Sequence, residues 1–198
     1  GTLSRVLSPV RDNRNTVLSL RTSVALLLSV GAVGWWLRPV AARPPPPATH
    51  YPAAPDFFWR DFGGGEHRLL DLAGRGVVLH FWASWCVPCR AEFPALIAAA
   101  RELGDAVVVL AVSVDDDQGK AEKFLRDIGV DNAPANLRLA FDPKKRIAYD
   151  VFMTALYPET IFLDAQLRLR RKIPGPVDWQ DPKLRQELRD FAASQPGR

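Results

Sequence analysis

The chain has 198 residues with 26 basic and 22 acidic side chains, and its sequence pI is near 9.3. Six arginines and one aspartate lie in residues 1–43, so residues 44–198 carry 20 basic and 21 acidic side chains and are nearly neutral. The length suits one domain with a hydrophobic core plus additional segments. The uneven charge implies no basic face, which excludes a nucleic-acid-binding protein.

The N-terminal part of the chain is predicted to anchor it in a membrane. Residues 1–21 are a basic segment, and residues 22–37 (TSVALLLSVGAVGWWL) contain no charged side chain. Arg21 can snorkel and so extend this run to the length of a transmembrane helix. Trp35 and Trp36 suit the membrane interface at its far end. The arginines before the run place residues 1–21 in the cytoplasm and the rest of the chain outside.

A cleaved signal peptide is the alternative to the anchor, because Val40-Ala41-Ala42 offers the small residues of a cleavage site. In either case the rest of the chain is exported, and a periplasm is the expected compartment. Residues 38–55 are rich in proline and alanine, with Pro44–Pro47 as an unbroken run, and are predicted to form a semi-rigid spacer. The folded domain is expected over residues 56–198.

The chemistry of this domain is expected at Val77–Pro94, which reads VVLHFWASWCVPCRAEFP. Its apolar beginning predicts a buried strand, and after a turn a helix is predicted as far as Leu103. Cys86 and Cys89 are the only cysteines and fall where the helix begins. Unpaired N–H groups and the helix dipole stabilise a thiolate at that position. Cys86 is therefore the predicted nucleophile, and Cys89 is predicted to resolve the mixed disulfide.

Two other uses of the cysteine pair are less consistent with the sequence. A disulfide across two intervening residues closes a very short loop, so it is a poor structural staple. A closed zinc site needs four ligands, but there is no second cysteine pair, and His50, His67 and His80 show no ligand spacing. We therefore expect no metal and no cofactor other than a redox-active Cys86–Cys89 disulfide.

The remaining elements are predicted from hydrophobic periodicity and turn signals. A short hairpin around Gly63–Gly65 precedes the Val77 strand, and Ala106–Val114 is a second buried strand. The later elements are a helix capped by Asp116 or Asp117, a strand at Leu137–Phe141, a short helix at Ile147–Phe152, strands at Glu159–Asp164 and Leu167–Ile173, and a helix capped by Asp181. This order, a βαβ unit followed by a ββα unit, predicts a mixed sheet with helices on both faces.

The segment FWASWCVPCRAEFP resembles the active-site segment of the TlpA/ResA/CcmG-like family, the membrane-tethered thiol–disulfide oxidoreductases of bacteria within the thioredoxin superfamily. The resemblance extends over roughly Asp56–Ala193, with Tyr157-Pro158-Glu159-Thr160 as a second landmark. It implies an α/β domain of the thioredoxin fold, here with an N-terminal β-hairpin extension. It also implies a single-pass anchor in the bacterial inner membrane, with the catalytic domain in the periplasm.

The resemblance also suggests roles for residues around the cysteines. The matching family proline is cis and packs against the CxxC motif, so Pro158 is expected to turn the main chain of Tyr157 toward an incoming peptide. The family places a proton-exchanging acid at Glu92, for which a solvated surface glutamate is the alternative. His80 departs from the family pattern and is either a proton relay or an ordinary core histidine. The residues expected to contact substrate are Trp85, Val87, Pro88 and Tyr157.

These features predict an exported, membrane-anchored disulfide reductase that acts by dithiol–disulfide exchange through its WCVPC motif. The resemblance implies work in cytochrome c maturation or copper-site assembly. The implied partners are protein disulfides, such as apocytochrome c or copper-site proteins, and a membrane thiol transporter that supplies electrons. The chain is expected to act as a monomer.

Three alternatives remain at the level of sequence. The first is an oxidase that donates disulfides. The second is a non-catalytic copper carrier, against which the sole methionine, Met153, and the scattered histidines argue. The third is a peroxiredoxin-like peroxidase, which would need a threonine where Ala83 stands.

Overall fold

The computed structural model describes residues 51–194. The predicted basic segment, the predicted membrane segment at residues 22–37 and most of the predicted spacer lie outside these residues. None of the helices in residues 51–194 combines the length with the apolar character that crossing a membrane requires.

The described residues form seven strands and three α-helices. The strands are β1 (Phe58–Arg60), β2 (Glu66–Arg68), β3 (Gly76–Trp82), β4 (Val107–Ser113), β5 (Leu137–Phe141), β6 (Glu159–Leu163) and β7 (Leu169–Pro174). The helices are α1 (Val87–Leu103), α2 (Gln118–Asp127) and α3 (Pro182–Ala193). The two longest strands, β3 and β4, are buried along their whole length, as their continuous apolar runs predict.

Two sheets are present among the described residues. Strands β1 and β2 form the predicted antiparallel hairpin, and the other five strands follow the order β5-β4-β3-β6-β7. Strand β4 is parallel to both β3 and β5, whereas β6 is antiparallel to both β3 and β7. The predicted mixed sheet is therefore confirmed, with β3 at its centre. The parallel alignment places the carboxyl ends of β3 and β4 at the same side of the sheet.

One face of the sheet is covered by all three α-helices of residues 51–194. The ring of Trp82 in β3 lies 4.9 Å from that of Phe93 in α1 and 5.4 Å from that of Phe124 in α2. Helix α3 approaches the same face at Gly76, where an added Cβ would lie 3.0 Å from the Cβ of Ala192. Glycine is needed at this position because the helix packs directly on the strand.

The opposite face has a different cover. Phe81 points to this side, and its ring lies 5.8 Å from that of Phe152, which in turn lies 5.6 Å from Phe57. The predicted short helix is a π-helical turn at Arg146–Val151. Asp142 holds the start of this turn, because its carboxylate accepts the N–H groups of three successive residues, 146 to 148. The sequence predicts helices on both faces. The structure has the three α-helices on one face and this π-helical turn on the other.

The segment before the hairpin also packs on the domain. Ala53 forms an antiparallel bridge with Arg168, the residue before β7, and Asp61, in the turn of the hairpin itself, forms another with Ala140 in β5. The guanidinium carbon of Arg170 lies 4.1 Å from the ring centre of Tyr51, a cation–π contact. The last residues of the predicted spacer therefore pair with the sheet.

Candidate active site

The two cysteines lie at the start of α1, directly after the central strand. Cys86 is the N-cap of the helix, and its Sγ accepts a hydrogen bond of 3.3 Å from the N–H of Cys89. The two side chains form a disulfide, with their Cα atoms 5.3 Å apart. Cys86 is 5% exposed and Cys89 is fully buried. Cys86 thus keeps a small area open to solvent, whereas Cys89 has none.

An exposed surface surrounds Cys86. Trp85 is 60% exposed and Val87 is 76% exposed, and Pro88 is exposed between the cysteines. The ring of Trp85 meets that of Tyr157 edge to face, with centres 6.1 Å apart. The residues predicted to contact substrate therefore lie together, and their aromatic and apolar surface is open to a partner.

A proline with a cis peptide bond follows Tyr157. The bond between Tyr157 and Pro158 is cis, and Pro158 is buried. A cavity of about 440 Å³ opens beside these residues, lined among others by Trp85, Tyr157, Tyr149 and Lys144. The segment before Pro158 thus forms one wall of a surface depression beside Trp85, the residue before Cys86.

Glu92 is buried in the core. It stands three residues after Cys89 on α1, and side chains at this spacing share a helix face. Its Oε2 accepts a hydrogen bond of 2.7 Å from the N–H of Val177. Burial raises the pKa of the Glu92 carboxyl, and the Val177 N–H partly opposes this rise. The alternative of a solvated surface glutamate does not fit this burial.

His80 lies beneath the helix and contacts Glu92. Its Nε2 is 3.4 Å from Oε1 of Glu92, and its Nδ1 is 3.0 Å from Oγ1 of Thr160 in the neighbouring strand β6. The imidazole is fully buried, and burial lowers the pKa of His80 to about 3, so the ring is neutral near pH 7. The structure thus brings His80 together with Glu92, and no hydrogen bond joins it to Cys89.

Two residues near the site were not singled out by sequence reasoning. Trp179 follows β7 and packs its indole edge to face with His80, with ring centres 6.0 Å apart. Asp115 follows β4, is buried, and accepts hydrogen bonds from Ser84, which lies just before the WCVPC motif. A signal for Asp115 was present, because an acid at the carboxyl end of a parallel strand next to β3 must lie near the end of β3.

The histidines and the methionine whose positions argue against a metal site lie apart from the cysteines or outside the described residues. His67 pairs with Asp61 in the N-terminal hairpin, at 2.9 Å, and stacks on Trp59. His50 is not among the described residues, and Met153 is exposed. Across residues 51–194, no group of three or more His, Cys, Asp or Glu side chains is arranged to hold a metal ion.

A mixed sheet whose central strand leads into a CxxC helix, with a cis-proline before the next strand, defines a thioredoxin-like fold. Comparison with known proteins extends this result. The chain belongs to the AhpC/TSA family, whose model matches residues 52–172, and its relatives place it among the TlpA/ResA/CcmG-like thiol–disulfide oxidoreductases. The resemblance noted in the sequence is thus confirmed.

Individual relatives agree with this assignment. The chain is 33% identical over 141 residues to the thioredoxin-like protein YneN of Bacillus subtilis, covering 71% of this chain and 81% of the relative. It is 30% identical over 169 residues to the thiol-disulfide oxidoreductase ResA of Geobacillus thermodenitrificans, covering 84% and 92%. A solved DsbE-type thiol:disulfide interchange protein from Chlorobium tepidum superposes with a TM-score of 0.60 at 29% identity, covering 73% of this chain and 99% of that chain.

Proposed function

We propose that this oxidoreductase is a disulfide reductase in which Cys86 attacks the substrate. The observation that carries the proposal is the difference in access between the two cysteines, since Cys86, the N-cap of α1, keeps 5% of its surface exposed and Cys89 is fully buried. The N–H of Cys89 points at Sγ of Cys86. In the reduced protein the same N–H group and the helix dipole favour a thiolate on Cys86.

The reaction proceeds in two exchange steps. The Cys86 thiolate attacks one sulfur of a substrate disulfide, an S–S bond forms between them, and the other substrate sulfur leaves as a thiolate that takes up a proton. The Cys89 thiol then loses its proton and attacks Sγ of Cys86. The intramolecular disulfide forms and the second substrate thiolate leaves. Two electrons pass from the protein to the substrate, and an external dithiol must restore the reduced pair.

Glu92 is the proposed proton acceptor for Cys89. Its raised pKa suits a carboxyl that both takes and returns a proton near neutrality. Neutral His80 can complement it in both states: Nε2 accepts when the carboxyl is protonated, and Nε2–H donates when the carboxyl is ionised. Thr160 can pair with Nδ1 in either tautomer of His80, because its hydroxyl both donates and accepts hydrogen bonds.

The proposed setting is the outer side of a bacterial inner membrane, with residues 22–37 as a single-pass anchor and the catalytic domain in the periplasm. The proposed substrates are disulfides in apocytochrome c or in copper-site proteins, and a membrane thiol transporter is the proposed electron donor. Trp85, Val87, Pro88 and Tyr157 would contact the substrate polypeptide, with the main chain of Tyr157 pairing in β-augmentation fashion. The chain is proposed to act as a monomer without a further cofactor.

Trapping of the mixed disulfide tests the order of attack. Cys89→Ser should hold substrates on Cys86 as covalent complexes that are visible on non-reducing gels and disappear with dithiothreitol. Cys86→Ser is the matched variant and should trap far less, because Cys89 is buried. Equal or greater trapping by Cys86→Ser would contradict the assignment of Cys86 as nucleophile.

The reduction potential of the Cys86–Cys89 pair tests the direction of the reaction. Equilibration of the 198-residue chain with glutathione or dithiothreitol buffers gives this value. A potential of about −270 mV or below is expected for a reductant, whereas a value near about −120 mV would make the protein a donor of disulfides. Rapid consumption of peroxide, or tight Cu(I) binding without disulfide reduction, would instead favour the peroxidase or the copper carrier.

A further inference from the structure

The buried carboxylate of Asp115 lies beneath the turn that leads into the active-site helix. Asp115 directly follows Val114, whose N–H donates to the carbonyl of Trp82 and so joins the chain after β4 to the end of β3. The N–H of Ser84 lies 2.9 and 3.1 Å from the two oxygens of Asp115, and its hydroxyl donates to Oδ1 at 2.7 Å. Two groups of Ser84, on the segment between β3 and the cysteines, are therefore held by Asp115, and the carbonyl at the end of β3 is held by Val114.

The hydrogen bonds of the Asp115 carboxylate come from Ser84 in the turn and from Ser113 at the end of β4. Its Oδ2 also accepts a hydrogen bond of 2.8 Å from the hydroxyl of Ser113. No lysine, arginine or histidine of residues 51–194 forms an ion pair with it, whereas the adjacent Asp116 is exposed and pairs with Lys145 at 3.1 Å. Because hydrogen bonds to a buried charge are strong and losing one is costly, these donors hold their positions.

The turn Ala83–Cys86 connects Ser84, which Asp115 holds, to Cys86. The N–H of Cys86 donates to the carbonyl of Ala83 at 3.1 Å, which closes a turn with Ser84 and Trp85 at its centre. Asp115 fixes the second residue of this turn, and Cys86 is its last. The position of Sγ at the start of α1 therefore depends on a side chain that belongs to another strand.

We propose that Asp115 is a positioning residue for Cys86, acting through Ser84. This inference rests on the proposed role of Cys86 as nucleophile. Asp115 keeps the Ala83–Cys86 turn in one conformation while the disulfide opens and closes, so that the thiolate remains aligned for attack on a substrate disulfide. Misplacement of a reacting group by about 1 Å can lower a rate by about a hundredfold, so a small relaxation of this turn is sufficient to be measured.

The test uses the reduced 198-residue chain and a small linear disulfide as the probe. The rate constant for reduction is measured from pH 5 to 10, which separates the thiolate fraction from the reactivity of the thiolate. Asp115→Asn places an NH₂ donor against the donors of the turn, and Ser84→Ala removes one donor with little change elsewhere. Asp116→Asn is the matched control, because it removes the same charge one residue away without contact to the turn.

The expected result is a fall of about tenfold in the limiting rate constant at high pH for Asp115→Asn, with a smaller fall for Ser84→Ala. Ser84→Thr keeps the hydroxyl and should recover the rate, and Asp116→Asn should match the unmodified chain. A role in stability alone would lower the melting temperature and leave the limiting rate unchanged, and this result would overturn the inference. If Asp115→Asn does not fold, Ser84→Ala and Ser84→Thr decide the question on the same criterion.

Cys86→Ser is measured in the same series. If Cys86→Ser still reduces the probe, the proposed function fails. If Cys86→Ser is inactive while Asp115→Asn and Ser84→Ala react at the full rate, the proposed function stands and only the role of Asp115 is lost.

Discussion

The Nε2 of His80 and the Oε1 of Glu92 face each other at 3.4 Å in the core, one from the central strand and one from the helix that carries the cysteines. Burial changes the pKa values of the two groups in opposite directions: it raises the pKa of Glu92 and lowers that of His80 to about 3. Desolvation disfavours the charged form of each. The pair is therefore poised to hold one proton without a net charge on the imidazole.

Replacement of Glu92 by glutamine should increase stability most at alkaline pH. The folded protein binds the Glu92 proton more tightly than the unfolded chain, so its stability falls as pH rises from about 4.5 through the raised pKa. Glu92→Gln lacks this loss. Melting temperatures of both proteins from pH 4 to 9 should diverge as pH rises, with the variant higher.

The control for this comparison is Glu102→Gln, which removes an exposed carboxylate from the same helix. Its difference from the unmodified chain should show no such growth with pH. A Glu92→Gln curve that stays parallel to the unmodified curve would argue that the Glu92 carboxyl does not change charge in the folded protein over this range.

Replacement of His80 should remove a loss of stability on the acid side. The pKa of His80 is about 3 in the folded protein against an ordinary value of 6.5. Between these two pH values the unfolded chain binds a proton at His80 and the folded protein does not. The stability due to neutral His80 is complete above about pH 6.5. It falls by up to about 1.4 kcal/mol per unit as pH drops toward 3.

Urea unfolding between pH 4 and 7.5 measures this effect. The difference between the unmodified chain and His80→Asn should change with pH in that window, in favour of the variant as pH falls. His67→Asn, in the N-terminal hairpin, is measured beside it and shows the effect of losing a part-exposed histidine that pairs with Asp61. A His80 ring proton whose NMR shift titrates near pH 6.5 would contradict the prediction.

Replacement of Trp85 should weaken the use of protein substrates while sparing the chemistry. Trp85 is largely exposed beside Cys86 and contacts Tyr157, so it offers a surface to a polypeptide but supports little of the core. For Trp85→Ala we expect KM for a protein disulfide to rise about tenfold, as for removal of an aromatic anchor. Its rate with a small disulfide and its melting temperature should stay close to the unmodified values.

Phe58→Ala is the control, because Phe58 is also 60% exposed but belongs to the N-terminal hairpin. It should leave both substrates unaffected. An equal loss with the small disulfide in Trp85→Ala would mean that Trp85 acts on the thiolate itself and not on substrate binding.

Asn136 is predicted to be a structural anchor of the helix that carries the cysteines. Its Nδ2 lies within 2.9 Å of three carbonyl oxygens, those of Ala100, Gly104 and Val107, at the junction of α1 and β4. Asn136→Ala should destabilise the fold by about 1–3 kcal/mol, because buried acceptors lose their donor.

Chemical denaturation measures this loss, with Asn132→Ala as the control from the same connection, because the hydrogen bonds of Asn132 involve its main chain: its carbonyl accepts from Arg101 and its N–H donates to Gly129. Because Asn136 lies at the far end of α1 from the cysteines, its loss should not change the rate constant with a small disulfide at a temperature where the variant is folded. A loss of stability no larger than that of Asn132→Ala would argue against the anchor.

Much of the fold could be predicted because its signals are local. Continuous apolar runs identify β3 and β4, and Asp117 and Asp181 cap the helices that follow them, as the sequence predicts. The cysteine pair could be located for the same reason, since a strand, a turn and a helix start are all encoded within about twenty residues.

The parts that were not predicted depend on neighbours distant in the chain. Asp115 stands in the acidic run 115–117, which suggests capping and solvation, and only the adjacent strand β3 makes it a buried acceptor. His80 and Glu92 meet because β3 and α1 pack together, and Trp179 reaches them from beyond β7. No local pattern contains these contacts.

The bridges at Ala53 and Asp61 bear on how readily the protein aggregates. They attach the same short segment to β7 on one side and to β5 on the other, and these are the two outermost strands of the sheet. Uncovered outer strands offer free N–H and C=O groups to other chains and promote aggregation. Residues 53–61 thus occupy part of each outer edge, and we expect a chain shortened past Asp61 to self-associate more readily even with its cysteines intact.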